Sequence, residues 1–222
     1  GVSSAASDVY KRESEEGHQP MVSQDERLIL TYNGEIYNFA NLSEKLRRRG
    51  YNFSSNSDTE VLLAGWACWG AGLLDRLTGM FAFALWDAHA GELVLARDRF
   101  GKKPLLYCQN GRRVSFASDM DALLALEDSP GDLDPNALGL LFSLRYIPDP
   151  YAIFSRVRKL PPGTLARFND DGLRLQRWYH PTKMQPPRYT SEIEAQHELR
   201  QRLDAATRER LVADVPVGLC LS

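Results

Sequence analysis

Residues 27–32 form an uninterrupted run of bulky or β-compatible side chains, the pattern of a strand with little polar punctuation. Asn33-Gly34 follows directly, a dipeptide that favours positive φ and predicts a turn. Phe39, Leu42 and Leu46 then recur at helical spacing, with Gly50 placed to end the helix. Its start is read at Asn38, or at Asn41 with Glu44 as a capping pair. Ser57-Asp58-Thr59-Glu60 reads as a capping box opening a second helix that carries Val61, Leu62, Leu63, Trp66 and Trp69. At Gly79 the period changes from helix to strand. Phe81, Phe83 and Leu85 alternate with Ala82, Ala84 and Trp86, a turn follows at 88–91, and 92–96 is a second strand. Residues 105–108 and 114–117 flank another Asn-Gly at Asn110-Gly111 and read as a hairpin. Small side chains alternating with large ones suit two sheets packed face to face.

Short helices are predicted over 119–126 and 135–142, the latter with proline in its first turn. Residues 145–150 read as extended because residues preceding proline are pushed out of the α region. Lys159-Leu160-Pro161-Pro162-Gly163 turns the chain into a last hairpin, 164–168 and 173–178. A proline-rich linker over 181–189 precedes a long amphipathic helix over 191–212, and an apolar strand leads to Ser222. Strands in two layers flanked by helices predict an α+β fold.

Composition narrows the setting without choosing a function. A length of 222 residues suits one large domain, or one and a fraction. The formal net charge of −2 gives no broad electrostatic case for nucleic acid or membrane surfaces. The basic run Arg47-Arg48-Arg49 sits at a helix end, where it complements the helix dipole and reads as a solvated face. No apolar stretch spans a bilayer and no signal-peptide pattern opens the chain. Cys68, Cys108 and Cys220 are scattered without metal-ligand spacing and read as free thiols in a reducing cytoplasm; no metal site is expected.

The chemistry-bearing candidates centre on Asn33-Gly34-Glu35. A side-chain amide beside an accessible backbone N–H can stabilise a developing oxyanion, and Gly34 allows a ligand close approach. Glu35 offers a carboxylate for a substrate ammonium. The bland reading, an ordinary turn, stands beside this one. Asp58 likewise has two readings, a helix N-terminal carboxylate or a ligand for the same ammonium. Arg97-Asp98-Arg99 reads as a structural arginine–aspartate pair at a strand end, and His89 as an exposed turn residue.

Taken together, Gly17-His18-Gln19-Pro20-Met21, Asn33-Gly34-Glu35-Ile36-Tyr37-Asn38, Ser57-Asp58-Thr59-Glu60-Val61, the run 79–87, the run 96–105 and Lys159-Leu160-Pro161-Pro162-Gly163 resemble the class II glutamine amidotransferases. Within them the pattern is similar to the glutamine-hydrolysing asparagine synthetases, from about residue 17 onward. The resemblance implies a four-layer αββα sandwich of the N-terminal-nucleophile type over 1–180. The start of an α/β ATP-pyrophosphatase-type domain is implied over 181–222. Asn33 and Gly34 would form the oxyanion hole, and Glu35 and Asp58 would orient the glutamine α-amino group. All four are expected to converge on one pocket. Leu219, Cys220, Leu221 and Ser222 would begin the ATP site.

Glutamine, aspartate and ATP, with Mg2+, are the implied ligands of the intact parent, and no cofactor is expected in the first domain. Homodimerisation stays open. The parent would hydrolyse glutamine and pass ammonia to aspartate activated as β-aspartyl-AMP. The family's Cys-Gly start, which supplies nucleophile and base, has no counterpart in residues 1–16, nor has its carboxylate-binding arginine. The chain is therefore expected to be an inactive fragment or join, and no resident thiol is expected to replace the nucleophile. Two alternatives remain: a catalytically silent scaffold domain, and a synthetase relative that amidates another acceptor.

Overall fold

The computed structural model describes residues 18–127, 130–181 and 189–211. The readings placed on residues 1–16, on most of the linker and on 219–222 lie outside the described residues. Among the described residues, nine strands form two antiparallel sheets. The larger has the order β1 (Met21–Val22), β2 (Leu28–Ile36), β3 (Gly79–Asp87), β4 (Glu92–Arg97), β8 (Thr164–Asn169) and β9 (Gly172–Arg177). The smaller has β5 (Leu106–Asn110) between β6 (Arg113–Ala117) and β7 (Val157–Lys159).

Strand alternation sorts the side chains into three cores that define four layers. Leu28, Leu30 and Ile36 of β2 share one face of the large sheet with Phe81, Phe83 and Leu85 of β3. That face packs on α1 (Phe39–Arg47) and α2 (Asp58–Trp69) through Leu42, Leu46, Leu62 and Trp66. The intervening positions Ala82 and Ala84 face the small sheet and meet Tyr107 and Leu160, so the short side chains fill the gap between sheets. The far face of the small sheet, Leu106, Cys108 and Val157, packs on Leu123 of α3 (Met120–Leu126). The order helix, sheet, sheet, helix is the expected αββα sandwich.

Local chemistry explains the helix starts. Asp119 and Asp134 cap α3 and α4 (Pro135–Leu144) through their carboxylates, and Ser191 caps α5 (Glu192–Glu209). Ser57 caps α2 by accepting from the Thr59 N–H, but Glu60 does not close a capping box. Its carboxylate instead takes the backbone and hydroxyl groups of Ser54 and Ser55, pinning the preceding loop. Asn38 sits at the start of α1 without capping it. Its side chain donates to the Arg76 carbonyl and accepts from the Thr78 N–H, joining α1 to the segment entering β3. α5 buries no residue, leaving Ile193, Leu199 and Leu203 exposed, while Arg210 beyond its end stacks over Tyr37.

Two sequence readings are corrected. Asn33-Gly34 is not a turn: both residues lie inside β2, opposite Ala82 and Phe81 of β3. Arg97 and Asp98 do not pair with each other. Arg97 donates to the carbonyls of Lys103, Leu160 and Gly101 and to Asp149, whereas Asp98 accepts from the backbone N–H groups of Phe81, Phe100, Lys102 and Lys103. Backbone groups, many of them from the loop 98–104 that folds around the two charges, satisfy Asp98 and most of Arg97, and Asp149 completes the latter.

Candidate functional site

The site grows from the pairing of β2 and β3. Phe81 uses its N–H and carbonyl toward Asp98, on the β4 side. Opposite it stands Gly34, so Gly34–Phe81 is a pair without ladder bonds, and the Gly34 N–H points away from β3. Tyr37, of the other parity, donates to Thr78 on the β3 side as this register requires. The N–H groups of Tyr32, Gly34 and Ile36 therefore face the outer edge of β2. β1 covers that edge only at Ile29 and Leu30.

Side chains take two of these three donors. The Tyr32 N–H donates to Gln19 Oε1 at 2.5 Å, and the Ile36 N–H donates to Asp58 Oδ2 at 3.0 Å. Between them, about 7 Å from either by strand rise, the Gly34 N–H meets no acceptor among the described residues. The result is a notch in a sheet edge: one backbone donor flanked by two polar side chains. Capping the flanking donors also prevents the edge from pairing as a regular strand there.

Gly34 is required by the strand behind the notch. A Cβ built there would lie 2.2 Å from the Met80 carbonyl oxygen and 2.7 Å from Phe81 Cα. Across the pair, a Cβ on Gly79 would lie 2.1 Å from the Glu35 carbonyl oxygen. The two glycines let β2 and β3 approach more closely than side chains permit.

Asp58 reaches the notch because Ser57 starts α2 beside the end of β2. Its carboxylate is buried and accepts from the Ile36 N–H and the Tyr32 hydroxyl, both at 3.0 Å. The structure thus brings Asp58 to the backbone of the Asn33–Ile36 segment. By alternation, Asn33 and Glu35 stand on the opposite face, the one shared with Ala82, while Tyr32 and Ile36 face the helices. The four predicted residues surround the edge of β2 from two faces rather than lining a single wall. Glu35 is as buried as Asp58.

Gln19 and Tyr32 are the site residues that sequence reasoning passed over. In the sequence Gln19 is one residue of a motif with no role of its own, and Tyr32 is only strand-compatible. The two described thiols are elsewhere. Cys108 lies in the small sheet's outer core, where burial pushes its thiol up from the ordinary range. Cys68 sits ten residues along α2 from Asp58, about 15 Å at helical rise, beside Arg49. His89 is exposed in its turn, and Arg47, Arg48 and Arg49 are exposed as expected. Among the described residues no helix is long and apolar enough to cross a membrane, and no group of His, Cys, Asp and Glu has a metal-holding arrangement.

The chain is 35% identical over 208 residues to asparagine synthetase [glutamine-hydrolyzing] 1 of Bacillus subtilis, covering 94% of this chain and 33% of the relative. It is 37% identical over 216 residues to a putative asparagine synthetase [glutamine-hydrolyzing] of Mycobacterium tuberculosis, covering 92% and 33%. It therefore spans about a third of the length of these relatives. Among solved structures, the glutamine phosphoribosylpyrophosphate amidotransferase from B. subtilis, complexed with ADP and GMP, superposes with a TM-score of 0.53. That match has 24% identity and covers 75% of this chain and 33% of that one, so it speaks for the fold, the N-terminal-nucleophile amidotransferase sandwich. The family model described as a glutamine amidotransferase domain matches residues 11–179, across both sheets and the notch, and the chain belongs to that family.

Proposed function

We propose that the notch on the edge of β2 binds glutamine and that the domain hydrolyses its side-chain amide to glutamate and ammonia. The observation that carries this reading is the Gly34 N–H, held at a rigid strand edge between Gln19 and Asp58. A tetrahedral oxyanion formed from the amide carbonyl would accept from the Gly34 N–H and from the Asn33 side-chain amide. Such donors act best when fixed beforehand, because no reorganisation is then needed as charge develops. The buried carboxylates of Asp58 and Glu35 would hold the α-ammonium, each from its own face of the strand. The attacking thiol is not assigned to any described residue.

In the longer protein of which the relatives are examples, the ammonia would pass to an aspartate activated by ATP, giving asparagine. Another acceptor is equally compatible with this domain, because acceptor choice would lie beyond it. Mg2+ and ATP would act at that second site. The residues read as its beginning, 219–222, lie outside the described part, and no step is assigned to them.

Asn33→Ala in the full-length protein tests the reading by glutamate release. Loss of one oxyanion donor should lower kcat about 100-fold with little change in KM. An unchanged kcat would contradict the assignment. A second reading, a scaffold domain without glutaminase chemistry, is favoured by the distance of Cys68 and Cys108 from the notch. It predicts no glutamate release from the unmodified full-length protein.

A further inference from the structure

Asp58 does not hold itself in place. Its Oδ2 receives two donors, the Ile36 N–H from the strand edge and the Tyr32 hydroxyl from the helical face of the same strand. The Ile36 bond fixes how close the carboxylate comes to β2. The Tyr32 bond adds a side-chain donor to the same oxygen and so restrains its rotation. Tyr32 is itself located by two features of the notch. Its own N–H is tied to Gln19 Oε1, and its ring edge passes 2.9 Å from the point where a Gly34 side chain would begin. One residue therefore touches all three parts of the notch: the Gln19 flank, the space at Gly34 and the Asp58 flank.

We propose that Tyr32 is a positioning residue for amino-group recognition, acting through the Asp58 carboxylate. The inference rests on the glutamine reading above. Its hydroxyl aims Asp58, and its ring occupies the space beside Gly34, so one side chain spans the distance between amino-group acceptor and oxyanion donor. A ligand offering an ammonium at one end and an amide carbonyl at the other is measured against that distance. A ligand lacking the ammonium would not sense the Tyr32 hydroxyl. Selectivity between the two ligands therefore separates this role from a merely structural one.

The test is initial-rate kinetics of ammonia release by the unmodified full-length protein, Tyr32→Phe, Asp58→Asn and the double variant, with KM reporting the binding of two ligands, L-glutamine and its des-amino analogue glutaramic acid. Tyr32→Phe keeps the ring and removes only the hydroxyl, and circular dichroism checks that each variant is folded. The unmodified protein should prefer L-glutamine. Tyr32→Phe should weaken L-glutamine binding about tenfold, the size of one hydrogen bond to a charged group, and leave glutaramic acid unchanged. The double variant should bind L-glutamine no more weakly than Asp58→Asn alone, because Tyr32 acts through Asp58. If the unmodified protein prefers L-glutamine and Asp58→Asn loses that preference but Tyr32→Phe retains full selectivity, the positioning role is wrong while the glutamine reading stands. If Tyr32→Phe weakens both ligands equally, its role is structural and the inference falls. If the unmodified protein shows no preference for L-glutamine, the glutamine reading fails and the inference falls with it.

Discussion

Gly34→Ala probes the strand pair that creates the notch. The added methyl would lie 2.2 Å from the Met80 carbonyl oxygen, 2.7 Å from Phe81 Cα and 2.9 Å from Tyr32 Cε2. Two of these atoms are backbone, so no side-chain rotation relieves the contact. Carbon contacts settle at about 3.5–4.0 Å, so β2 must move more than 1 Å from β3. That movement stretches the ladder bonds of the adjacent pairs, Asn33 with Ala82 and Glu35 with Met80. Overpacking costs about 1–3 kcal/mol and each of the two weakened residue pairs adds about 1 kcal/mol, giving roughly 4 kcal/mol. At about 3 °C per kcal/mol for a domain of this size, the melting temperature should fall by about 12 °C.

Gly50→Ala is the matched comparison. Its φ is +89°, but a Cβ there meets nothing within 4 Å, so only backbone strain of about 1–2 kcal/mol applies. Calorimetric melts of the two variants should differ by about 6–9 °C. Gly34→Ala melting within about 3 °C of Gly50→Ala would refute the close-approach argument.

Asp98→Asn should be among the most destabilising single changes at this end of the sheet. Each Asp98 oxygen accepts two backbone N–H groups, and an amide would turn one of those acceptors into a donor facing donors. A loss of about 3–5 kcal/mol is expected in denaturant unfolding, and a loss under 1 kcal/mol would contradict the role. Arg27 donates to Asp87 across the far ends of β2 and β3, and that bond, ahead of the opposing effect of burial, holds the Asp87 carboxyl below its usual range. A depressed folded-state value stabilises above the unfolded value, roughly pH 4, and the benefit is lost as pH falls through the folded value. Unfolding between about pH 5 and 2 should therefore be less acid-sensitive in Arg27→Met than in the unmodified protein. Brief maleimide treatment, read by peptide mass spectrometry, should label the partly exposed Cys68 and leave the buried Cys108 unlabelled.

The layers were legible because their periods are local. The alternation from Phe81 to Leu85 already separates the helical core from the inter-sheet core, and Ser57 announces α2 one residue before it begins. What failed was chemistry that depends on distant partners. Asn33-Gly34 and Asn110-Gly111 are the same dipeptide, yet the second makes the β5–β6 turn, with Gly111 at φ +61°, and the first lies in mid-strand. The difference is Gly79, forty-five positions after Gly34, which lets β3 close on β2. Arg97 and Asp98 misled for the same reason. Adjacent opposite charges suggest a pair, but their partners are carbonyls and N–H groups brought by loop closure. The notch was half legible. Asn33, Gly34, Glu35 and Asp58 stood out by motif, whereas Gln19 and Tyr32 acquire meaning only once the parity of β2 shows which N–H groups face the edge.

On the proposed reading one backbone donor, the Gly34 N–H, receives glutamine at the edge of β2. Backbone amide resonances of the isotopically labelled protein, followed while L-glutamine is added, test this. The amides of Gly34 and Ile36 should shift most, and both should respond far less to glutaramic acid at the same concentration. Shifts centred elsewhere with Gly34 unmoved would contradict the claim.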